Sequence, residues 1–116
     1  MELNKKTLPE GITLISLGGS LNKLDISELR RFFDKITSGE AGARIALDFS
    51  EVEFINSNVI GYLITLHKKI SVSGGKLSFF NLNSHVLEVF NVLEIGRVFH
   101  IADTEEESVN YLKNPG

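Results

Sequence analysis

Ser57 stands where two sequence patterns meet. Arg44 to Phe49 is an apolar run suited to a strand covered on both faces, and a short loop through Asn56 follows it. Beyond it, Val59, Leu63, Leu66 and Ile70 recur at helical spacing, so Ser57 is expected in the first turn of a helix. Unpaired backbone N–H groups and a partial positive charge gather at such a point and stabilise an anion. A serine there has two roles open to it: it caps the helix, or it accepts a phosphate.

The other residue types with chemical potential lack the spacing to use it. His67, His85 and His100 fall on three different expected elements with no metal-ligand pattern among them. A hydrolase needs a nucleophile with a base in reach, and nothing in the chain pairs Ser57 with a histidine. Gly18-Gly19 and Gly74-Gly75 lack the lysine of a phosphate loop and the dinucleotide fingerprint, so both read as turns. Asp103 to Glu107 is acidic, but it lacks the alternating ligands of a calcium loop and reads as a helix start favoured by the dipole. The pairs Phe32-Phe33 and Phe79-Phe80 read as core. The chain has no cysteine, which excludes disulfides, thiolate metal sites and a cysteine nucleophile. No cofactor is implied, and the reading is of a protein that is not an enzyme.

At 116 residues the chain is expected to form a single domain, residues 1–116. A domain of this size buries roughly two-thirds of its unfolded surface, enough for one core without staples. The net charge is −3 with Lys and Arg scattered, which argues against nucleic acid as a partner. Met1-Glu2-Leu3-Asn4-Lys5-Lys6 lacks the apolar core of a signal peptide, and no run reaches membrane-spanning length. A cytoplasmic protein with no membrane insertion is expected.

The elements that position Ser57 follow from caps, turns and periodicity. Glu2 to Leu8 and Ile12 to Leu17 predict a hairpin turned at Pro9-Glu10-Gly11, with Gly18-Gly19 ending the second strand. Asp25 and Glu28 form a capping-box pattern for a helix with the stripe Leu29, Phe32, Phe33 and Ile36, closed by Ser38-Gly39. The helix from Ser57 stops at Ser73-Gly74-Gly75. Lys76 to Asn81 predicts a strand, Asn83 a cap for a helix to about Leu93, and Val98 to Ala102 a last short strand. Thr104 with Glu107 opens a terminal helix containing Val109 and Leu112. The class is α/β: a mixed, mostly parallel sheet of about five strands with four helices packed against it. Partner surfaces in such folds lie at the carboxyl ends of strands, where Ser57 is expected.

The element order, with Asp48-x-Ser50-x-Val52-x-Phe54-Ile55-Asn56-Ser57, resembles the STAS domain family, and within it the bacterial anti-sigma factor antagonists. Their pattern at this point is D-L-S-x-V-x-F-I-D-S-[ST]-G-L-G. Asp48, Ser50, Val52, Phe54, Ile55, Ser57 and Gly61 match it, with Ile60 standing for Leu. Gly19-Ser20-Leu21-Asn22 matches the family's G-x-L-D, and Ser73-Gly74-Gly75-Lys76-Leu77 its glycine-rich turn into the fourth strand. The resemblance covers nearly the whole chain.

It implies a STAS-like domain active in partner switching. The acceptor is Ser57, phosphorylated by an anti-sigma factor with serine-kinase activity whose ATP is bound to that partner. The implied partner-binding residues are Asn22, Asn56, Ser57, Asn58, Val59, Ile60, Gly61 and Tyr62, with Thr65 and Lys69 further along the exposed helix face. Two aspartates of the pattern are Asn22 and Asn56 here, and the small residue and glycine after the acceptor are Asn58 and Val59. Asn caps as well as Asp, but a neutral amide holds a serine proton or a kinase-bound metal poorly. A phosphate of about −2 charge meets less repulsion beside it. Val59 stiffens a turn that glycine leaves open. The alternative implied by these departures is a STAS scaffold that is not phosphorylated, or the accessory subunit of a lipid-transport ATPase complex.

Overall fold

The computed structural model describes residues 1–38 and 41–114. Strands β1 (Glu2–Thr7) and β2 (Ile12–Leu21) form an antiparallel hairpin. The chain then runs through α1 (Ile26–Thr37), β3 (Arg44–Ile55), α2 (Ser57–Val72), β4 (Lys76–Phe80), α3 (Ser84–Val92), β5 (His100–Ala102) and α4 (Glu105–Lys113). The sheet order is β1-β2-β3-β4-β5, and the three pairings after the hairpin are parallel. The expected mixed sheet with four helices is therefore the fold observed.

Side-chain alternation divides the core between two faces of the sheet. Ile15, Leu17, Ile45, Leu47, Phe49, Leu77 and Phe79 meet Leu29 and Phe33 of α1, the stripe Val59, Leu63, Leu66 and Ile70 of α2, and Val86 and Phe90 of α3. On the other face Ile12, Leu14, Ala46, Phe80 and Ala102 meet Leu112 of α4. Three successive crossovers advancing in one direction along the sheet place α1, α2 and α3 on one side, leaving the other to α4.

Several boundaries differ from the sequence expectation. Gly18-Gly19 does not end β2, and β3 does not give way to a loop at Phe49: the two strands stay paired to Leu21 and Ile55. Register shifts between Ser16 and Gly18 and between Gly19 and Ser20 each give β3 one extra residue. Phe49, Val52 and Ile55, three apart, are consequently all buried. Asp48 stabilises the first bulge by accepting the Ser50 N–H at 2.9 Å. At the second bulge Gly19 takes φ +85°, a conformation glycine adopts without strain. Asp25 does not cap α1; its carboxylate accepts the Asn22 N–H at 2.8 Å and closes a short turn before the helix. Ser38 follows α1, and Gly39 of the expected stop lies outside the described residues. The last strand is only His100–Ala102, because Phe99 turns its ring onto Phe79 (4.5 Å between centroids) and bonds its N–H to Ile95.

The α2 stop behaves as expected, with one tight constraint. Gly75 donates its N–H to Ile70 O at 2.8 Å, and a Cβ on it would sit 2.2 Å from Ala43 O. Gly74 has φ +86° but open space around it. Gly75→Ala is expected to lower the unfolding free energy by about 3 kcal/mol, against about 1 kcal/mol for Gly74→Ala. Urea titration checks the order, and an equal or smaller loss at Gly75 would contradict the packing.

Beneath α4, Ser78 Oγ lies 2.7 Å from His100 Nδ1 and 2.6 Å from Ser108 Oγ, and the imidazole stacks on Tyr111 at 3.7 Å. Burial lowers the His100 pKa; Glu107 opposes the shift and Lys76 adds to it. The folded imidazole binds a proton less readily than the unfolded one, so unfolding takes up a proton in acid. Stability should decline as pH falls below the ordinary value of 6.5, and His100→Gln should remove most of that decline. Chemical denaturation from pH 8 to 5 checks it.

Candidate functional site

Helix α2 starts where it does because Asn56 stops the strand and caps the helix. The Asn56 N–H still bonds Leu21 O at 2.9 Å, the last link to β2. Its backbone is extended (φ −82°, ψ 147°) and its side chain accepts the Asn58 N–H at 2.8 Å. The Asn56 carbonyl takes the Val59 and Ile60 N–H groups. Ser57 is the first helical residue, exposed and without the capping role. Asn22, following Leu21, is brought level with Asn56, since Leu21 pairs with Ile55.

Two grooves flank the α2 start. One of about 460 Å³ lies between α1 and α2, lined by Arg30, Asp34, Asn58, Tyr62, Thr65 and Lys69 among others. Tyr62 is half-buried there, its hydroxyl donating to Leu29 O at 3.4 Å and the Arg30 guanidinium lying 5.8 Å from its ring centre. Burial, with Asp34 adding to it against Arg30, raises the phenol pKa to about 12, so it stays a neutral donor. An exposed ion pair, Lys69 Nζ to Asp34 Oδ1 at 3.0 Å, crosses the groove.

The other groove, about 310 Å³, lies between the α2 start and α3 and is lined by Ser57, His85, Glu88, Val89, Val92 and Leu93. Its apolar floor is open to solvent: Val92 is 74% exposed and Leu93 46%. The His85 ring stacks on Phe54, 5.7 Å between centroids and 24° between planes. Asn83 fixes α3 against β3: its side chain accepts the Val86 N–H and donates to Val52 O, both at 2.8 Å.

The STAS domain family model matches residues 5–108. The chain belongs to the STAS domain family. It is 31% identical over 70 residues to a Thermotoga maritima protein provisionally named an anti-sigma factor antagonist, a match covering 60% of this chain and 62% of that protein. It is 20% identical over 103 residues to an anti-sigma F factor antagonist of Paenibacillus polymyxa, covering 89% of this chain and 88% of that one. The anti-sigma factor antagonist SpoIIAA in its unphosphorylated form superposes with a TM-score of 0.80 at 20% identity, over 97% of this chain and 96% of that one. Its phosphorylated form, described from Bacillus, superposes with a TM-score of 0.69 at 18% identity, over 97% and 100%.

Within this STAS domain the residues anticipated as a partner surface fall into three groups. Ser57 faces the α3 groove, whereas Asn58, Gly61 and Tyr62 face the α1 groove, so the helix start divides them. Val59 and Ile60 are buried, 0% and 1% exposed, and hold α2 to the sheet from below. Asn22 and Asn56 sit at the paired strand ends. The sequence reading missed Phe54, Val89, Val92 and Leu93 and gave His85 no role. One signal was available: Val86, Leu87, Val89, Phe90, Val92 and Leu93 are more apolar residues than a short helix buries on one face.

Among the described residues no group of acidic, His or Cys side chains could hold a metal, and no helix is long and apolar enough to cross a membrane. The serine–histidine hydrogen bond that does form, Ser78 to His100, involves a fully buried serine and offers no accessible nucleophile.

Because Asn83 both caps α3 and bonds β3, Asn83→Ala is expected to lower stability by about 2 kcal/mol. Asn56→Ala, losing a single cap bond, should cost about 1 kcal/mol. Thermal unfolding of the two variants checks the order, and an equal loss would contradict the role given to Asn83.

Proposed function

We propose that this STAS domain is an anti-sigma factor antagonist that acts by binding, without catalysis, and is switched by phosphorylation at Ser57. The observation that carries the reading is the position of Ser57: an exposed hydroxyl opening α2, relieved of capping by Asn56, on the rim of an apolar groove. The names of the sequence relatives support it, as does the phosphorylated form of SpoIIAA. In this reading the unmodified domain docks an anti-sigma factor with serine-kinase activity. Asn22, Asn56, Ser57 and Asn58 form the contact, Gly61 and Tyr62 extend it toward α1, and Val59 and Ile60 brace it.

The γ-phosphoryl group of ATP held by that partner passes to Ser57 Oγ. The bond to ADP breaks, and the hydroxyl proton leaves to a base of the kinase. The added charge of about −2 then sits at the centre of a dry contact, where desolvation makes it costly. Ser57→Glu is expected to weaken partner binding at least tenfold, and mass spectrometry after incubation with the kinase and ATP should find phosphate on Ser57. Undiminished binding by the variant, or modification only at another residue, would overturn the switch.

A second reading has one observation in its favour. Asn22 and Asn56 are neutral where the family pattern carries aspartates, which suits a scaffold that is never phosphorylated, including the accessory subunit of a lipid-transport ATPase complex. Co-purification discriminates: a transporter ATPase as main partner supports the second reading, a serine-kinase ATPase the first.

A further inference from the structure

We propose that the His85 imidazole pairs with the phosphate carried on Ser57, which stays bonded to the serine and is held across the mouth of the α3 groove. The inference rests on the phosphorylation proposed above and adds the group that meets the phosphate.

Ser57 and His85 line the same groove from opposite sides, one from α2 and one from α3. The imidazole is exposed but not free to wander, because it stacks on Phe54 of β3. The anchor of α3 is firm as well: Asn83, two residues before His85, bonds both the helix backbone and Val52 of β3. Ring position relative to the α2 start is thus set from two sides before any phosphate arrives.

Among the described residues that line the groove, His85 is the one group able to become a cation. The remaining lining residues are Val89, Val92, Leu93 and the carboxylate of Glu88. From β3 the neighbour is Phe54, from α2 Ser57, and from α3 Glu88, one turn along from His85. The Glu88 carboxylate repels a phosphate on Ser57, which leaves the imidazole as the side of the groove that can accept it. A phosphoserine carries a charge of about −2 at neutral pH, and an imidazole N–H can meet it as a charge-assisted hydrogen-bond donor. Held there, the phosphate covers Val89, Val92 and Leu93 as well as adding charge. Modification then removes an apolar contact and introduces repulsion together.

The test uses the full chain with phosphoserine encoded at position 57, so that it does not depend on any kinase. Histidine ring resonances and the phosphorus resonance are followed against pH, in the phosphorylated and unmodified proteins. The expected result is a rise of about one pH unit in the His85 midpoint on phosphorylation, with His67 and His100 unmoved. The phosphate midpoint should lie below that of a phosphoserine peptide and return toward it in His85→Gln, a change at an exposed position. A His85 midpoint that does not rise, or a phosphate midpoint indifferent to His85→Gln, would overturn the pairing. Failure of a cognate kinase to modify Ser57 would overturn the proposed switch but leave this measurement intact.

Discussion

The parallel pairing of β2 with β3 beyond Asp48 is the contact on which the rest of the molecule depends. Were β3 to end at Phe49, seven residues of loop would separate it from α2 and Ser57 would have no fixed position. Instead the ladder runs on to Leu21 and Ile55, and the Asn56 N–H makes one further bond to Leu21. Two extra residues in β3 let Phe49, Val52 and Ile55 all turn into the core, so the strand extension is held by burial as well as by its ladder. The α2 start is thereby fastened to the sheet at its last residue. A helix so anchored presents its first side chain at a defined place, and that side chain is Ser57.

The same extension builds the wall of the groove. Val52 O is the acceptor for Asn83, and Phe54 is the platform for His85. Both lie in the stretch that a shorter β3 would have lost to loop. The α3 groove, its apolar floor and its histidine are therefore consequences of the bulged strand, not an independent feature. The opposite face of the sheet serves a different end. Small residues there, Ala46 and Ser78, let α4 pack closely, and Arg44 and Lys76 donate to its last carbonyls at 2.8 and 2.6 Å. Cations at a helix carboxyl end satisfy groups the helix cannot pair itself and oppose its dipole.

Much of this was legible in the sequence, and what was not has a physical reason. The stripe of α2, the Gly74-Gly75 stop and the cap at Thr104 rest on local chemistry and are found where periodicity and capping placed them. The extension of β3 was hidden because its bulges convert a period of two into apolar residues three apart, with Glu51 and Glu53 between them. That pattern resembles neither a regular strand nor a helix, and only the partner strand stabilises it. Gly18-Gly19 read as a strand end for the same reason: the glycines serve a bulge that appears only once the neighbour is in place. At the site, Ser57 and the paired positions of Asn22 and Asn56 were reachable from the motif. The partition of α2 between two grooves was not, because it depends on how α1 and α3 pack on either side. Asn56, rather than Ser57, proves to be the cap, which frees the serine.

The proposed switch requires that the Ser57 edge of the α3 groove be the face that meets a partner. Backbone amide mapping of the unmodified domain, titrated with an anti-sigma factor of the serine-kinase type loaded with a non-hydrolysable ATP analogue, tests it most directly. The expected result is perturbation centred on Asn22, Asn56, Ser57 and Asn58, reaching Gly61 and Tyr62 on one side and His85, Val89, Val92 and Leu93 on the other, with α4 and the β1 edge unaffected. Perturbations confined to α4 or to β1, with the Ser57 region silent, would contradict it.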